Sequence, residues 1–167
     1  NTITGGGGAD TLTGGAGNDT FRFATDTEVD AATVAGGAGA DNITMTAAAT
    51  LVDSDFANIN AVETLVLVGA SSVTLGNEAV SATLDAVTTG AGATNVTTEN
   101  ASTAVSIDAA ALDDDKALTL ADTNTAAFTV SNLKGDIVTN NVAGTLNATT
   151  ATVDNSSIET AAGATTI

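Results

Sequence analysis

A nine-residue unit, repeated without a gap, sets the terms on which this 167-residue chain can fold. Residues 5–13 read Gly-Gly-Gly-Gly-Ala-Asp-Thr-Leu-Thr and residues 14–22 read Gly-Gly-Ala-Gly-Asn-Asp-Thr-Phe-Arg. Residues 36–44, Gly-Gly-Ala-Gly-Ala-Asp-Asn-Ile-Thr, repeat the pattern, and Asn1-Thr2-Ile3-Thr4 ends like a preceding copy. The unit is G-G-x-G-x-D-x-U-x, with U apolar. Residues 89–97 keep the spacing but carry Thr94 where the others carry Asp. A unit this short cannot bury its own apolar residue, so copies must stack and share one core. A flexible Gly-rich linker is the bland alternative. A linker would not place Leu12, Phe21 and Ile43 at the same phase after the Asp.

Beyond the repeats the texture changes but the logic persists. From Ala47 to Val68, apolar residues recur every two to five positions, and Asp53-Ser54-Asp55 reads as the start of a short helical turn, since such residues accept from free N–H groups at helix starts. From Ser71 onward, short segments alternating apolar residues with Thr, Ser or Asn recur roughly every ten residues, as strands with one buried face do. They are centred on Thr74, Thr83, Val96, Ser106, Thr119, Thr129, Ile137, Leu146 and Thr152. Ten residues per strand and turn gives a coil of about twenty with two strands. An antiparallel sandwich gives similar spacing, but no Pro and no tight hairpin dipeptides punctuate these segments. Val62-Glu63-Thr64 recurs as Ile158-Glu159-Thr160, a weak sign of duplicated units.

Composition narrows the chemistry. Twenty Asp and Glu against three Lys and Arg give a net charge of −17, which repels nucleic-acid phosphates and anionic membranes and favours hard divalent cations. There is no Cys and no His, so no disulfide forms, and neither a thiolate nor an imidazole is available as ligand or base. The apolar residues are mainly small, with four Phe and no Trp or Tyr, which suits a thin layered core. No apolar run approaches a membrane span, Leu65 to Val68 reading as a buried strand. Asn1 starts in mid-repeat and residues 161–167 form an apolar, uncharged tail, so we read the sequence as a piece of a longer polypeptide.

Residues 1–44 resemble the nonapeptide repeat of the RTX (repeats-in-toxin) family, whose fold is a parallel β-roll. The resemblance implies bound calcium, held between stacked loops by Asp carboxylates and by carbonyls that the glycines turn inward. Carried over, the ligands are the side chains of Asp10, Asp19 and Asp41, joined by carbonyls near Gly5, Gly7, Gly14, Ala16, Gly36 and Ala38, with Leu12, Phe21 and Ile43 in the core. After residue 22 the expected next loop lacks the glycines. Its acids Asp26, Glu28 and Asp30 either complete a metal site near Asp10 or form a solvated charged face. Asp19 pairs either with a loop before Asn1 or with the Asp41 loop. One to three ions are expected, and Thr94 removes the side-chain ligand from its copy. Asp113-Asp114-Asp115 reads as an exposed turn, and Asp53 and Asp55 as caps rather than ligands.

The expected architecture is all-β, a calcium-binding parallel β-roll continuing into a right-handed parallel β-solenoid. Residues 1–44 form the roll, 45–70 a connecting coil, and 71–167 an Ala/Thr/Val-rich solenoid. The texture resembles repetitive regions of RTX-type bacterial surface-layer proteins and giant adhesins. That implies an extracellular, cell-surface structural protein exported by type I secretion, with Ca2+ as cofactor. Its expected partner is itself, in a homo-oligomeric lattice or fibre, with cell-surface polysaccharide as a further candidate and neither nucleic acid nor membrane insertion. No catalytic set is visible, so no enzyme is expected. The alternatives are an RTX adhesin or binding module for polysaccharide or ice, and the non-catalytic part of a secreted enzyme.

Overall fold

The computed structural model describes residues 1–99, 104–122, 127–140, 145–150 and 158–160. The expected strand around Thr152 and the tail at 161–167 lie outside the described residues. The chain runs β1 (Thr2–Thr4), β2 (Thr11–Ala16), β3 (Thr20–Phe23), α1 (Asp26–Ala31), β4 (Thr33–Ala38), β5 (Asn42–Met45), β6 (Thr50–Leu51), a 3₁₀ turn (Asp53–Phe56), β7 (Ile59–Asn60) and β8 (Thr64–Val66). It continues through β9 (Ser71–Leu75), α2 (Asn77–Ser81), β10 (Ala86–Thr88), β11 (Thr94–Thr98), β12 (Val105–Asp108) and β13 (Ala117–Asp122). The last elements are β14 (Phe128–Leu133), β15 (Asp136–Asn140), β16 (Leu146–Thr150) and β17 (Ile158–Thr160).

Each described strand pairs in parallel with its counterpart one coil away. The first coil, from Thr2 to Thr20, takes 18 residues and the next takes 22, the separation of Asp19 and Asp41. A long sheet of order β1-β3-β5-β8-β10-β12-β14-β16 forms one wall. The opposite side starts as β2-β4-β7 and continues as β6-β9-β11-β13-β15-β17. This is an all-β parallel solenoid, and the parallel pairing excludes the antiparallel sandwich. The long sheet crosses residues 44 and 70 without a break.

The core follows from the period-2 alternation of strand side chains. In register along the long sheet stand Ile3, Phe21, Ile43, Leu65, Val87, Ile107, Val130 and Ala148. Those from Phe21 to Val130 are buried, and Ile3 and Ala148 pack against them. The other phase points outward: Thr2, Thr20, Asn42, Thr64, Ala86, Ser106, Thr129 and Asn147.

Three segments depart from the sequence reading. Residues 23–30, expected as a loop, contain α1. Thr25 caps it by accepting from Glu28 N, and Val29 on its inner face is buried. Ala82-Thr83-Leu84, expected as a strand, is a turn. Ala82 N donates to Glu78 O and Leu84 N to Ala79 O, Thr83 is left-handed at φ +70°, and the strand begins only at Ala86. Ala82 and Leu84 are buried all the same, so the alternation marked burial and not a strand. The echo of Val62-Glu63-Thr64 at 158–160 joins unlike places, since the first leads into the long sheet and the second is β17 of the other. The helical turn at Asp53 is present, and α1, the 3₁₀ turn and α2 pack on one another along one corner of successive coils.

Candidate metal centre

The loops 14–19 and 36–41 both lead back into the long sheet and lie on the same edge, one coil apart. Gly15 pairs with Gly37 and Ala16 with Ala38, and Gly17 N donates to Ala38 O at 2.7 Å. The glycines are structural at two kinds of position. Gly15, Gly17, Gly37 and Gly39 have φ between +93° and +146°, which L side chains rarely adopt. Gly14 and Gly36 are needed for space. A methyl on Gly14 would overlap Gly36 O and sit 2.5 Å from Asp19 Oδ2. A methyl on Gly36 would overlap Ala61 O and sit 2.6 Å from Asp41 Oδ2.

On this edge the acids form a column. Asp19 and Asp41 are 0% and 1% exposed. Asp41 Oδ1 accepts Asp19 N at 2.7 Å, and Glu63 Oε2 accepts Asp41 N at 2.8 Å, each across 22 residues. Asp19 Oδ1 accepts from the Asn1 side-chain amide at 2.8 Å and from the Asn1 backbone nitrogen at 2.5 Å. Asp19 is therefore stacked on the Asp41 loop through its N–H, while its carboxylate meets Asn1 of the preceding coil.

Asp10 sits on the opposite edge, between β1 and β2, with its Oδ2 beside Gly5, and Thr33 N donates to its carbonyl. Gly7 has open space around it. The next coil on that edge contains α1. Glu28 Oε2 is engaged by Ala24 N at 2.7 Å, Asp26 accepts from Thr27, and Asp30 is exposed. The negative charges of Asp30 and Asp26 fall on Asp55, whose carboxyl is raised above its ordinary range chiefly by burial and further by those two acids. Asp55 Oδ2 accepts Val52 N within its own turn. Asp53 is a cap for the following coil, accepting Gly76, Glu78 and Ala79 N. Asp113, Asp114 and Asp115 are exposed, with Asp115 paired to Lys116 at 2.6 Å.

Whether a cation fits can be asked of the atoms. Asp10 Oδ2, Asp19 Oδ2 and Asp41 Oδ2 are buried and have no hydrogen-bond partner. A buried carboxylate oxygen without a donor is costly unless a cation supplies the charge. Beside two of them stand carbonyl oxygens, Gly36 O and Ala61 O, each packed so closely on Gly14 or Gly36 that a methyl there would collide with it. Among the described residues no three acidic side chains converge on one point. An ion here must therefore draw on backbone oxygens too, as calcium with its six to eight oxygen ligands does. The donor set, all oxygen with no nitrogen or sulfur, fits calcium. In the Thr94 copy the hydroxyl donates to Gly92 O at 3.2 Å, so that loop supplies its own proton where the others present a bare oxygen.

Residues 1–24 match the family model described as the RTX calcium-binding nonapeptide repeat, four copies. The N-terminal stretch is an RTX repeat. RTX nonapeptide repeats bind calcium, and the proteins that carry them are typically secreted by type I secretion. No curated protein and no solved structure matches the chain. The loop of Asp41 lies beyond the matched residues, yet the structure stacks it on the RTX loop of Asp19. Glu63 was missed by the sequence reading. It belongs to no repeat, and only its 22-residue spacing from Asp41 could have marked it.

Proposed function

We propose that this chain is part of an extracellular structural protein, a subunit of a self-assembling surface layer or filament at the bacterial cell surface, with calcium as part of its fold. The observation that carries this reading is the uninterrupted in-register column from Ile3 to Ala148 behind one long parallel sheet. Such a coil is a spacer of fixed rise, suited to spanning or tiling. Its outward positions are mostly short hydroxyl and amide side chains. A surface depression of about 350 Å³ contains Arg22 and Glu28, but the Glu28 carboxylate is already bonded to Ala24 N. A non-catalytic role follows in this reading.

Calcium has two tasks in it. Within the coil, aligned carboxylates about 4.8 Å apart repel by roughly 1–4 kcal/mol per pair, and a divalent ion reverses that sign. Between subunits, surfaces with a net charge of −17 need bridging cations to approach. The test is electron microscopy and light scattering of the parent protein with calcium and with excess chelator. Ordered sheets or fibres that dissolve in chelator and re-form with calcium support the proposal. A protein that stays monomeric in calcium at high concentration rejects it and leaves a soluble RTX module.

A further inference from the structure

We propose that the Asp41 loop and the turn Ala61–Glu63 form a further calcium site, at the place where the nonapeptide has already ended. The inference rests on calcium binding by the RTX loops and extends it to a turn with no repeat sequence. The pairing of Val34 with Ile59 and Ala35 with Asn60 brings Ala61 next to Gly36. The loop 36–41 takes six residues to return to the long sheet. The following coil does so with Ala61, Val62 and Glu63, and Thr64 still pairs with Asn42.

This shorter turn keeps two properties of the glycine loop without a Gly or an Asp. Ala61 is left-handed at φ +51°, a conformation uncommon for a residue with a side chain. Its carbonyl oxygen occupies the place a Cβ on Gly36 would take, and Asp41 Oδ2 lies 2.6 Å from that place. The same pair of oxygens, a carbonyl and a buried carboxylate, crowds Gly14, where they are Gly36 O and Asp19 Oδ2. Glu63 does for Asp41 what Asp41 does for Asp19, with its longer side chain accepting the preceding acid's N–H at 2.8 Å.

The independent observation is Asp41 itself. It is 1% exposed, and its Oδ2 has no hydrogen-bond partner while it lies with Ala61 O against Gly36. Two acceptor oxygens crowded against one glycine, the carboxylate one buried without a donor, call for a cation, and an all-oxygen set selects a hard one. A purely capping Glu63 requires only an acceptor oxygen at Asp41 N, and its other oxygen already receives the Thr83 hydroxyl at 3.3 Å. A metal site requires the charge as well. That difference makes the proposal testable with one isosteric change.

The experiment counts calcium ions on the whole chain by native mass spectrometry and titrates calcium chloride calorimetrically, for the unmodified chain, Glu63→Gln and Glu63→Asp. Glu63→Gln keeps the acceptor for Asp41 N and loses the charge. The expected result is one ion fewer, or one ion bound at least about tenfold more weakly, with the others unchanged and with Glu63→Asp retaining the count. Should Glu63→Gln fail to fold even in calcium, a folded Glu63→Asp with the full count again supports a requirement for charge. An unchanged count and affinity in Glu63→Gln overturns the site alone, as does equal loss in both variants, which marks Glu63 as a cap of fixed length. An unmodified chain that binds no calcium overturns the RTX reading and this site together.

Discussion

Asp41 Oδ1 accepts the backbone N–H of Asp19 at 2.7 Å, from the coil that follows it in the chain. The bond leaves the second oxygen of each of these acids buried without a donor. Acids placed this way are tolerable only when something positive joins them, and from that the behaviour of the chain in solution can be derived.

Removing calcium should unfold the RTX coils. In excess chelator residues 1–44 lose their β-structure, and calcium restores it while magnesium does not. Magnesium demands tight octahedral geometry and keeps its waters. Circular dichroism with hydrogen exchange resolved along the sequence checks this; protection of residues 1–44 that is indifferent to chelator removes the central claim.

Charge alone should not be enough. Asp19→Ala weakens calcium binding more than Asp113→Ala, because Asp19 is buried in a matched loop while Asp113 is exposed on a turn. Calorimetric titration of the two variants compares them. Equal effects would mean that binding follows general acidity.

The core column predicts a large packing term at Phe21, which is fully buried between Ile3 and Ile43. Phe21→Ala should cost roughly 3–5 kcal/mol in calcium. Denaturant unfolding measures it, and a loss well under that range would place the ring outside the core.

Two glycines from different copies of the repeat should behave in opposite ways. Gly36→Ala drives a methyl into Ala61 O and towards Asp41 Oδ2, a clash with backbone that should cost at least about 1–3 kcal/mol. Gly7→Ala meets nothing within 4 Å and should stay within about 0.5 kcal/mol of the original. Melting temperatures in calcium give the comparison, and similar shifts for both would contradict the stacked-loop geometry.

Asp55 gives a pH signature. Its carboxyl is raised in the folded chain, so the protonated form favours folding. That contribution is complete below the unfolded carboxylate value of about 3.9 and is lost as pH rises through the folded value. Asp55→Asn, which can still accept Val52 N, should therefore stabilise the chain at neutral pH, with the gain fading as pH falls to the acid range. A gain that does not depend on pH would show that the charge is not its source.

Much of this was legible because the repeat fixes period, phase and chemistry at once. Leu12, Phe21 and Ile43 are core or packed on it, and Asp10, Asp19 and Asp41 each carry a buried unpaired oxygen. Helices were harder to read. Residues 26–31 are short and acidic, and what makes them helical is a cap from Thr25 and a buried Val29 set by the neighbouring coil. Thr83 shows the same limit, since burial alternates through Ala82 and Leu84 whether the backbone is extended or turned. Glu63 was illegible for another reason. The return turn shrinks from six residues to three while the coil keeps its 22 residues, so no repeat motif marks it and its role shows in three-dimensional register.

The cap that Asp53 provides has a consequence in time. Gly76, Glu78 and Ala79 present N–H groups at the start of α2, and the carboxylate that receives them belongs to the preceding coil. A helix of five residues is too short to hold itself in water. Its formation must then wait for the coil beneath it, which gives this stretch a sense of travel, closing like a zip from the repeats towards the later coils. Pulse-labelling hydrogen exchange during refolding reads that order directly, and protection at Ala79 ahead of Asp55 would reverse it.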